Sequence, residues 1–396
     1  MLVYADHAAT SPLCKEAFHA MQPWLTANGY GNASAMYKIA LDAKCRLEDA
    51  RAAVARALSV LPEEVYFTSG GTESDNWALK GAMELGELRG NRRHLITTAV
   101  EHPAVLRVAE WLAKRGCELT VLPVDTLGRV SPEQVAAAVR KDTALVSLIY
   151  ANNEIGTILP IGDIFAAVKA KDPAVLCHTD AVQAVGHIPV SFSGVDLLTF
   201  SGHKFGGPKG TGALYIRKGI PFPAFMHGGG HERGRRSGTE NIAGIAGLAA
   251  ALQAAADNME RHMADTAALR DRLTAGVLAI PYCRMTGDTA CRLPGHASFV
   301  FDAVEGETIV LGLDIEGVSA SSGSACSSGT LDPSHVLLAI GLPHETAHGS
   351  LRLTIDASTG AEGVDYIISK LTSVVASRRA MSPLWDDTAG KPVERF

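Results

Sequence analysis

The sequence predicts an α/β fold: a large, mostly parallel sheet covered by helices on both faces, followed by a smaller α+β unit. Three observations predict it. Short apolar, β-branched segments alternate with helical patterns through the first two-thirds of the chain. Those segments are near-continuously apolar rather than apolar at every second residue, as strands buried on both faces are. A long Ala-rich helical run then leads into a stretch where strands and helices mix.

In chain order, residues 43–58 read as a helix. Val65-Tyr66-Phe67-Thr68 is β-branched and aromatic and reads as a strand, with a helix opening after Gly70-Gly71. Residues 94–99 are a strand, and a helix follows Pro103. Residues 144–150, 175–179, 197–200 and 213–216 are four more strands. The helical pattern over 242–278 turns charged from Asp257 onward, as a bridge out of the first unit would. Strands at 297–301, 318–320 and 351–355 then alternate with helices at 308–315, at 333–340 and after Glu362. The chain has 396 residues, enough for two domains. The large one is assigned to residues 15–260, and the small one to 1–14 with 261–396.

Composition narrows the function classes. Apolar residues are 47% and charged residues 20%, which excludes bulk disorder. Thirty-six basic against 42 acidic residues give a net charge of −6, which argues against a nucleic-acid binder. The seven cysteines are odd in number and form no C-x-x-C pair, so neither a disulfide framework nor a zinc site is expected, and a reduced cytoplasmic setting fits. No basic segment followed by an apolar run opens the chain, so no signal peptide is expected. The apolar stretch 242–256 is shorter than the ~20 residues of a membrane span and reads as a buried core helix.

Four constellations carry chemistry. In Thr68-Ser69-Gly70-Gly71-Thr72-Glu73-Ser74-Asp75-Asn76, two glycines between strand and helix let a ligand approach the backbone. The helix N-terminus then favours an anion, although a tight turn capped by Thr72 would look the same. Glu101-His102-Pro103 puts His102 between a strand and a helix N-terminus, where it stays neutral to act as a base or stack on a ring, or serves as a plain cap. In His178-Thr179-Asp180-Ala181-Val182-Gln183, Asp180 ends an apolar strand and needs a cation partner, unless it caps the surface. In Ser201-Gly202-His203-Lys204, a lysine ends an apolar strand among small residues and can form a Schiff base. Ser201 and His203 beside it suit a phosphate. Lys209 sits in a Gly/Pro turn and faces solvent. An anion cradle, a stacking histidine, a carboxylate and a lysine together match one cofactor, pyridoxal 5′-phosphate (PLP).

At these motifs the sequence resembles the cysteine desulfurases of the NifS/IscS type, a class-V aminotransferase branch of the PLP-dependent enzymes. The resemblance runs from Tyr4-Ala5-Asp6-His7-Ala8-Ala9-Thr10 to Met381-Ser382-Pro383-Leu384-Trp385. It includes Asn152-Asn153-Glu154-Ile155-Gly156, the stretch from His227 to Asn241, and Ser321 to Cys326. It implies the aspartate-aminotransferase fold (fold type I) and a homodimer. It further implies that Lys204 holds PLP covalently, Asp180 pairs with the pyridinium nitrogen and Gln183 hydrogen-bonds the ring hydroxyl. His102 would stack on the ring and join in proton transfer. Gly71, Thr72, Ser201 and His203 would hold the phosphate, and Thr239 would reach the phosphate of the neighbouring subunit. Asn153 and Arg352 would position the substrate, with Arg352 forking onto its carboxylate.

Ser321 to Thr330 is a run of small polar residues with one thiol, Cys326, and should be mobile. The resemblance makes Cys326 the persulfide carrier, and the other six cysteines read as structural. The implied reaction converts L-cysteine to L-alanine and passes sulfur through Cys326 to an acceptor or iron–sulfur scaffold protein. The alternatives are a selenocysteine lyase or other C–S lyase, an aminotransferase, and an inactive partner-binding relative. His227 and His231 stand four apart but are separated by three glycines, so a loop rather than a metal site is expected. Arg233, Arg235 and Arg236 read as site or interface structure rather than a nucleic-acid patch. Ala33 and Ala35 stand where relatives usually carry Pro and Ser, His7 replaces a common asparagine, and Ala357 an arginine.

Overall fold

The computed structural model describes residues 1–26, 29–323 and 332–393. In chain order the elements begin with β1 (Val3–Tyr4), α1 (Lys15–Met21), α2 (Lys38–Leu58), β2 (Val65–Thr68), α3 (Gly71–Leu88), β3 (His94–Thr98) and α4 (Pro103–Ala113). They continue with β4 (Glu118–Leu122), α5 (Pro132–Ala138), β5 (Thr143–Ile149), α6 (Ile161–Lys171), β6 (Leu176–Asp180), β7 (Leu197–Ser201) and β8 (Gly212–Ile216). After α7 (Ile242–Leu278) come β9 (Cys283–Met285), β10 (His296–Phe301), α8 (Gly306–Ile315), β11 (Val318–Ser319), α9 (His335–Ala339) and α10 (His344–His348). The chain closes with β12 (Ser350–Thr354), α11 (Gly360–Ala380), β13 (Trp385–Asp386) and β14 (Lys391–Pro392).

A seven-stranded sheet in the order β2-β8-β7-β6-β5-β3-β4 forms the centre. Neighbours from β7 to β4 are parallel, and only β8 runs against its two neighbours. The cause is chain length. A parallel return needs a crossover of roughly a dozen residues or more, usually a helix, and β7 joins β8 through the short turn that holds Lys204. Strands β2, β3, β5, β6, β7 and β8 are buried along their whole length, including the polar His94, Thr97 and Thr98 of β3 and His178, Thr179 and Asp180 of β6. The edge strand β4 is largely exposed, and its mixed sequence Glu-Leu-Thr-Val-Leu hid it from the sequence reading.

A second, antiparallel sheet has the order β12-β10-β9, and β1 pairs with β11. Val3 and Ala5 share a hydrophobic cluster with β10, β12 and α11, so the amino terminus packs on the carboxyl-terminal unit. Helix α7 serves both cores: Ile242 to Leu252 pack against the large sheet, and Leu273 and Val277 against the small one. Helix α9 is shorter than the predicted 333–340, because Ser334 caps it by accepting from the Val336 and Leu337 N–H groups.

Candidate active site

Strand β2 delivers its carboxyl end to Ser69 and Gly70. Gly70 sits at φ 154°, ψ −177°, a region open only to glycine. A Cβ on Gly71 would stand 2.7 Å from Val182 Cγ2 and 3.8 Å from Ser201 Cβ, so the turn packs directly on the ends of β6 and β7. The N-cap of α3 is Gly70 and not Thr72, and no side chain caps it, so its first-turn N–H groups remain available to a ligand. Glu73 would repel an anion there, but its carboxylate is turned away. It accepts from Ser69 N at 2.9 Å and from Arg236 Nε and Nη2 at 2.7 and 3.0 Å. Burial raises its pKa, and these bonds outweigh burial and hold it below the usual carboxylate range. Thr72 and His102 line one cavity of about 460 Å³ beside this turn.

His102 is the N-cap of α4, and its Nδ1 accepts from Ala104 N at 3.1 Å. A neutral His102 therefore carries its proton on Nε2. Burial pushes its pKa down, the Asp180 charge opposes that shift, and Lys204 adds to it. Asp180 ends β6 and accepts from Val182 N at 3.0 Å through Oδ1. Burial pushes its carboxyl up, while His102 and Lys204 favour its ionised form. Lys204 closes the 3-10 turn Gly202–Lys204 and donates from Nζ to the carbonyls of Ala8 at 2.5 Å and Ala9 at 2.9 Å. Gln183 Nε2 donates to the same Ala8 carbonyl at 2.9 Å. His203 Nδ1 lies 3.1 Å from Thr10 Oγ1, and burial with the two nearby lysines takes its pKa to about 4. Lys209 is exposed.

Behind this surface lies a buried polar layer that the sequence reading missed. His178 Nδ1 meets Ser147 Oγ at 2.8 Å, and its Nε2 meets Thr199 Oγ1 at 3.1 Å and Asp75 Oδ1 at 3.7 Å. Burial pushes His178 down to about 3. Burial and the Asp180 charge push Asp75 well up, and burial chiefly pushes Glu101 up to about 8. Thr98 donates to Glu101 at 2.6 Å. Asp75 had the one available signal, an acid on the apolar face of α3.

In the small sheet, Arg352 of β12 is 4% exposed. It donates from Nη1 to the Asn153 carbonyl at 2.9 Å and from Nη2 to Asp6 Oδ1 at 2.8 Å. His296 Nε2 also meets the Asn153 carbonyl, at 2.9 Å. No local pattern around Asp6 points to this pairing. Thr239 is exposed, at the end of a loop tied down by the buried pair Arg51–Glu232 and by Arg236–Glu73. Cys326 lies outside the described residues. Of the other cysteines, Cys177 is buried, whereas Cys45 and Cys291 are exposed and pack into no core. Burial raises the thiols of Cys14, Cys117, Cys177 and Cys283, the last to about 12, so none of these four is an activated thiolate.

The donor set fits PLP. An open helix N-terminus with Thr72 and Ser201 beside it suits a phosphate, the enclosed Asp180 suits a positive ring nitrogen, and Lys204 suits an aldehyde.

The family described as aminotransferase class-V matches residues 3–367 of the chain. Cysteine desulfurase IscS of Clostridium botulinum (strain Hall) is 47% identical over 390 residues, 97% of each chain. Cysteine desulfurase IscS of Methanosarcina thermophila is 47% identical over 384 residues, 96% of this chain and 94% of that one. Among solved structures, a NifS-like protein superposes with a TM-score of 0.89 at 37% identity, covering 95% of this chain and all of the other (100%). DndA from Streptomyces lividans superposes with a TM-score of 0.76 at 36% identity, covering 87% and 97%.

Proposed function

We propose a role for each site residue on one premise: the chain belongs to the aminotransferase class-V family and is a PLP-dependent cysteine desulfurase. It converts L-cysteine to L-alanine and passes the sulfur to an enzyme cysteine. The observation that carries the assignment of roles is the meeting of His102, Asp180 and Lys204 beside an uncapped helix N-terminus. When bound, PLP supplies an aldehyde for lysine and a sink for the electrons released at the substrate Cα.

Every other step belongs to the chain. The first-turn N–H groups at Gly71 and Thr72, with Ser201 and His203, bind the phosphate. Asp180 holds a proton at the ring nitrogen, Gln183 orients the ring hydroxyl and His102 packs on the ring face. Asn153 and Arg352 orient the substrate carboxylate. Lys204 Nζ, assisted by His102, moves the Cα proton. The Cys326 thiolate then takes the substrate sulfur. Its S–S bond forms as the Cβ–S bond breaks, the electron pair stays with Cβ, and protonation there gives the methyl group of alanine.

Further roles rest on less. The enzyme acts as a homodimer in which Thr239 completes the partner's phosphate site. This is supported by the exposure of Thr239 on an anchored loop. The division into residues 15–260 and residues 1–14 with 261–396 is supported by distinct clusters built on the large and the small sheet, with a smaller cluster joining Val100 and Ile155 to Val300 and Val336 across the boundary. The persulfide passes to an acceptor protein of iron–sulfur assembly, consistent with the IscS name of the relatives, and a cytoplasmic setting is consistent with the six described cysteines being free thiols. Cys326→Ala should abolish sulfide release from L-cysteine and leave the PLP absorbance intact. Full turnover by that variant would remove Cys326 from the mechanism. Selenocysteine and D-cysteine, run beside L-cysteine, define the substrate range.

A further inference from the structure

Arg352 carries a buried charge, and buried charge needs a counter-charge. That charge comes from Asp6, 346 residues away in sequence, at 2.8 Å from Nη2. Asp6 is itself fixed by backbone. It bridges to Thr354, two residues along β12 from Arg352. Around it, His7 N donates to Thr354 O at 3.2 Å, Thr354 N to Ala5 O at 2.8 Å, and Ala8 N to Thr354 Oγ1 at 2.9 Å. The Tyr4 hydroxyl donates to the Asp6 carbonyl at 3.0 Å. The carboxylate is therefore presented from a rigid support, and it meets Arg352 while the Asn153 carbonyl holds Nη1 at 2.9 Å.

We propose that Asp6 is a positioning residue for substrate recognition: with the Asn153 carbonyl it pins both terminal nitrogens of Arg352, so that the guanidinium meets the L-cysteine carboxylate already oriented. This rests on the reading of Arg352 as the carboxylate receptor. A guanidinium offers five N–H donors in one plane, and one contact on each terminal nitrogen fixes that plane. The remaining donors then need no reorganisation when the substrate arrives. The same segment continues into Ala8 and Ala9, whose carbonyls accept from Lys204 Nζ, so one stretch of backbone references both the carboxylate receptor and the reactive lysine.

The test uses the PLP-loaded enzyme. Asp6→Ala should raise KM for L-cysteine at least about tenfold while kcat changes by about twofold or less. Asp6→Asn, which keeps the shape and an acceptor but loses the charge, should raise KM less, and Asp6→Glu should recover part of the loss. A binding readout separates this role from general damage. The dissociation constant of the product L-alanine, by calorimetry, should rise in Asp6→Asn. That of cysteamine, which has the thiol and amine but no carboxylate, should stay unchanged. If Asp6→Ala does not fold, Asp6→Asn decides. An unchanged KM overturns the proposal, a lowered KM shows that Asp6 competes with the substrate, and a cysteamine constant that rises as much as that of L-alanine shows a structural loss. Arg352→Gln is the control: if its KM is unchanged, the carboxylate-receptor reading falls and takes the Asp6 role with it. If its KM rises while that of both Asp6 variants does not, Asp6 alone falls.

Discussion

His178, His187 and His296 are enclosed, and burial pushes them down to about 3, 4 and 3. In the unfolded chain a histidine takes a proton near pH 6.5. Below that pH the unfolded chain binds protons that the folded chain refuses, so stability falls as pH drops from 6.5 toward each folded value. Each such group removes about 1.4 kcal/mol per pH unit across its window. Glu101 works in the opposite direction. Burial chiefly raises it from 4.5 to about 8, so its contribution is complete below 4.5 and is lost as pH rises through 8. The melting temperature should therefore fall steeply below pH 6.5, and should also decline from the optimum toward pH 8. Glu101→Gln keeps an acceptor for the Thr98 hydroxyl and removes the titration. Its melting temperature should lose less than that of the native chain between pH 6 and pH 8. An equal loss in the two proteins would mean that Glu101 is already ionised in the fold.

Among the elements, the β2–α3 turn is the one where a single methyl group tests the site. Alanine suits a helix better than glycine does, by roughly 1 kcal/mol. At Gly71, though, a Cβ would lie 2.7 Å from Val182 Cγ2, so the turn must lift away from β6. Gly71→Ala should lower PLP affinity by about tenfold or more with little loss of melting temperature in the cofactor-free protein. Adding Val182→Ala makes room and should restore the affinity. Failure of that rescue would show that the turn's spacing does not set phosphate binding. The turn was legible in the sequence, as were Lys204, His102 and Asp180, because each ends or follows an apolar strand among residue types that leave few other readings. Asp6 and Glu232 were not legible, and Asp75 showed only as an acid on the apolar face of α3. Their partners, Arg352, His178 and Arg51, are brought to them by tertiary pairing across a hundred positions or more, and no local pattern marks such a partner. Strand β4 was missed for a related reason: unlike β2 at the other edge, it is only partly buried and needs no apolar run. The reversal of β8 was legible in principle, since the stretch between the two apolar runs is too short for a helical crossover.

At the scale of the whole molecule, the loop bearing Thr239 is held by two charged anchors. Arg51 and Glu232, both nearly sealed from solvent, pair at 2.8 Å, and Glu232 also accepts from Phe67 N at 2.9 Å. Glu232 and Arg233 adopt left-handed backbone at φ 45° and 59°, a conformation that non-glycine residues hold only when the surroundings impose it. Arg236 ties the same loop to Glu73, in the first turn of α3, the helix proposed to cradle the phosphate. A loop built so firmly, yet ending in an exposed Thr239, suits service to a second subunit. In the proposed shared-site dimer each active site would take Lys204 from one chain and Thr239 from the other. Lys204→Ala should be inactive alone, and Thr239→Glu, which puts a carboxylate against the phosphate, nearly so. When the two are unfolded together and refolded as an equal mixture, about half of the dimers should be mixed by random pairing. Each mixed dimer then holds one site with both native residues and one with neither. Desulfurase activity should return to about a quarter of the native level, with one PLP-loaded site per mixed dimer. Subunits that each carry a complete site would give no such recovery, because every chain in the mixture would keep its own defect.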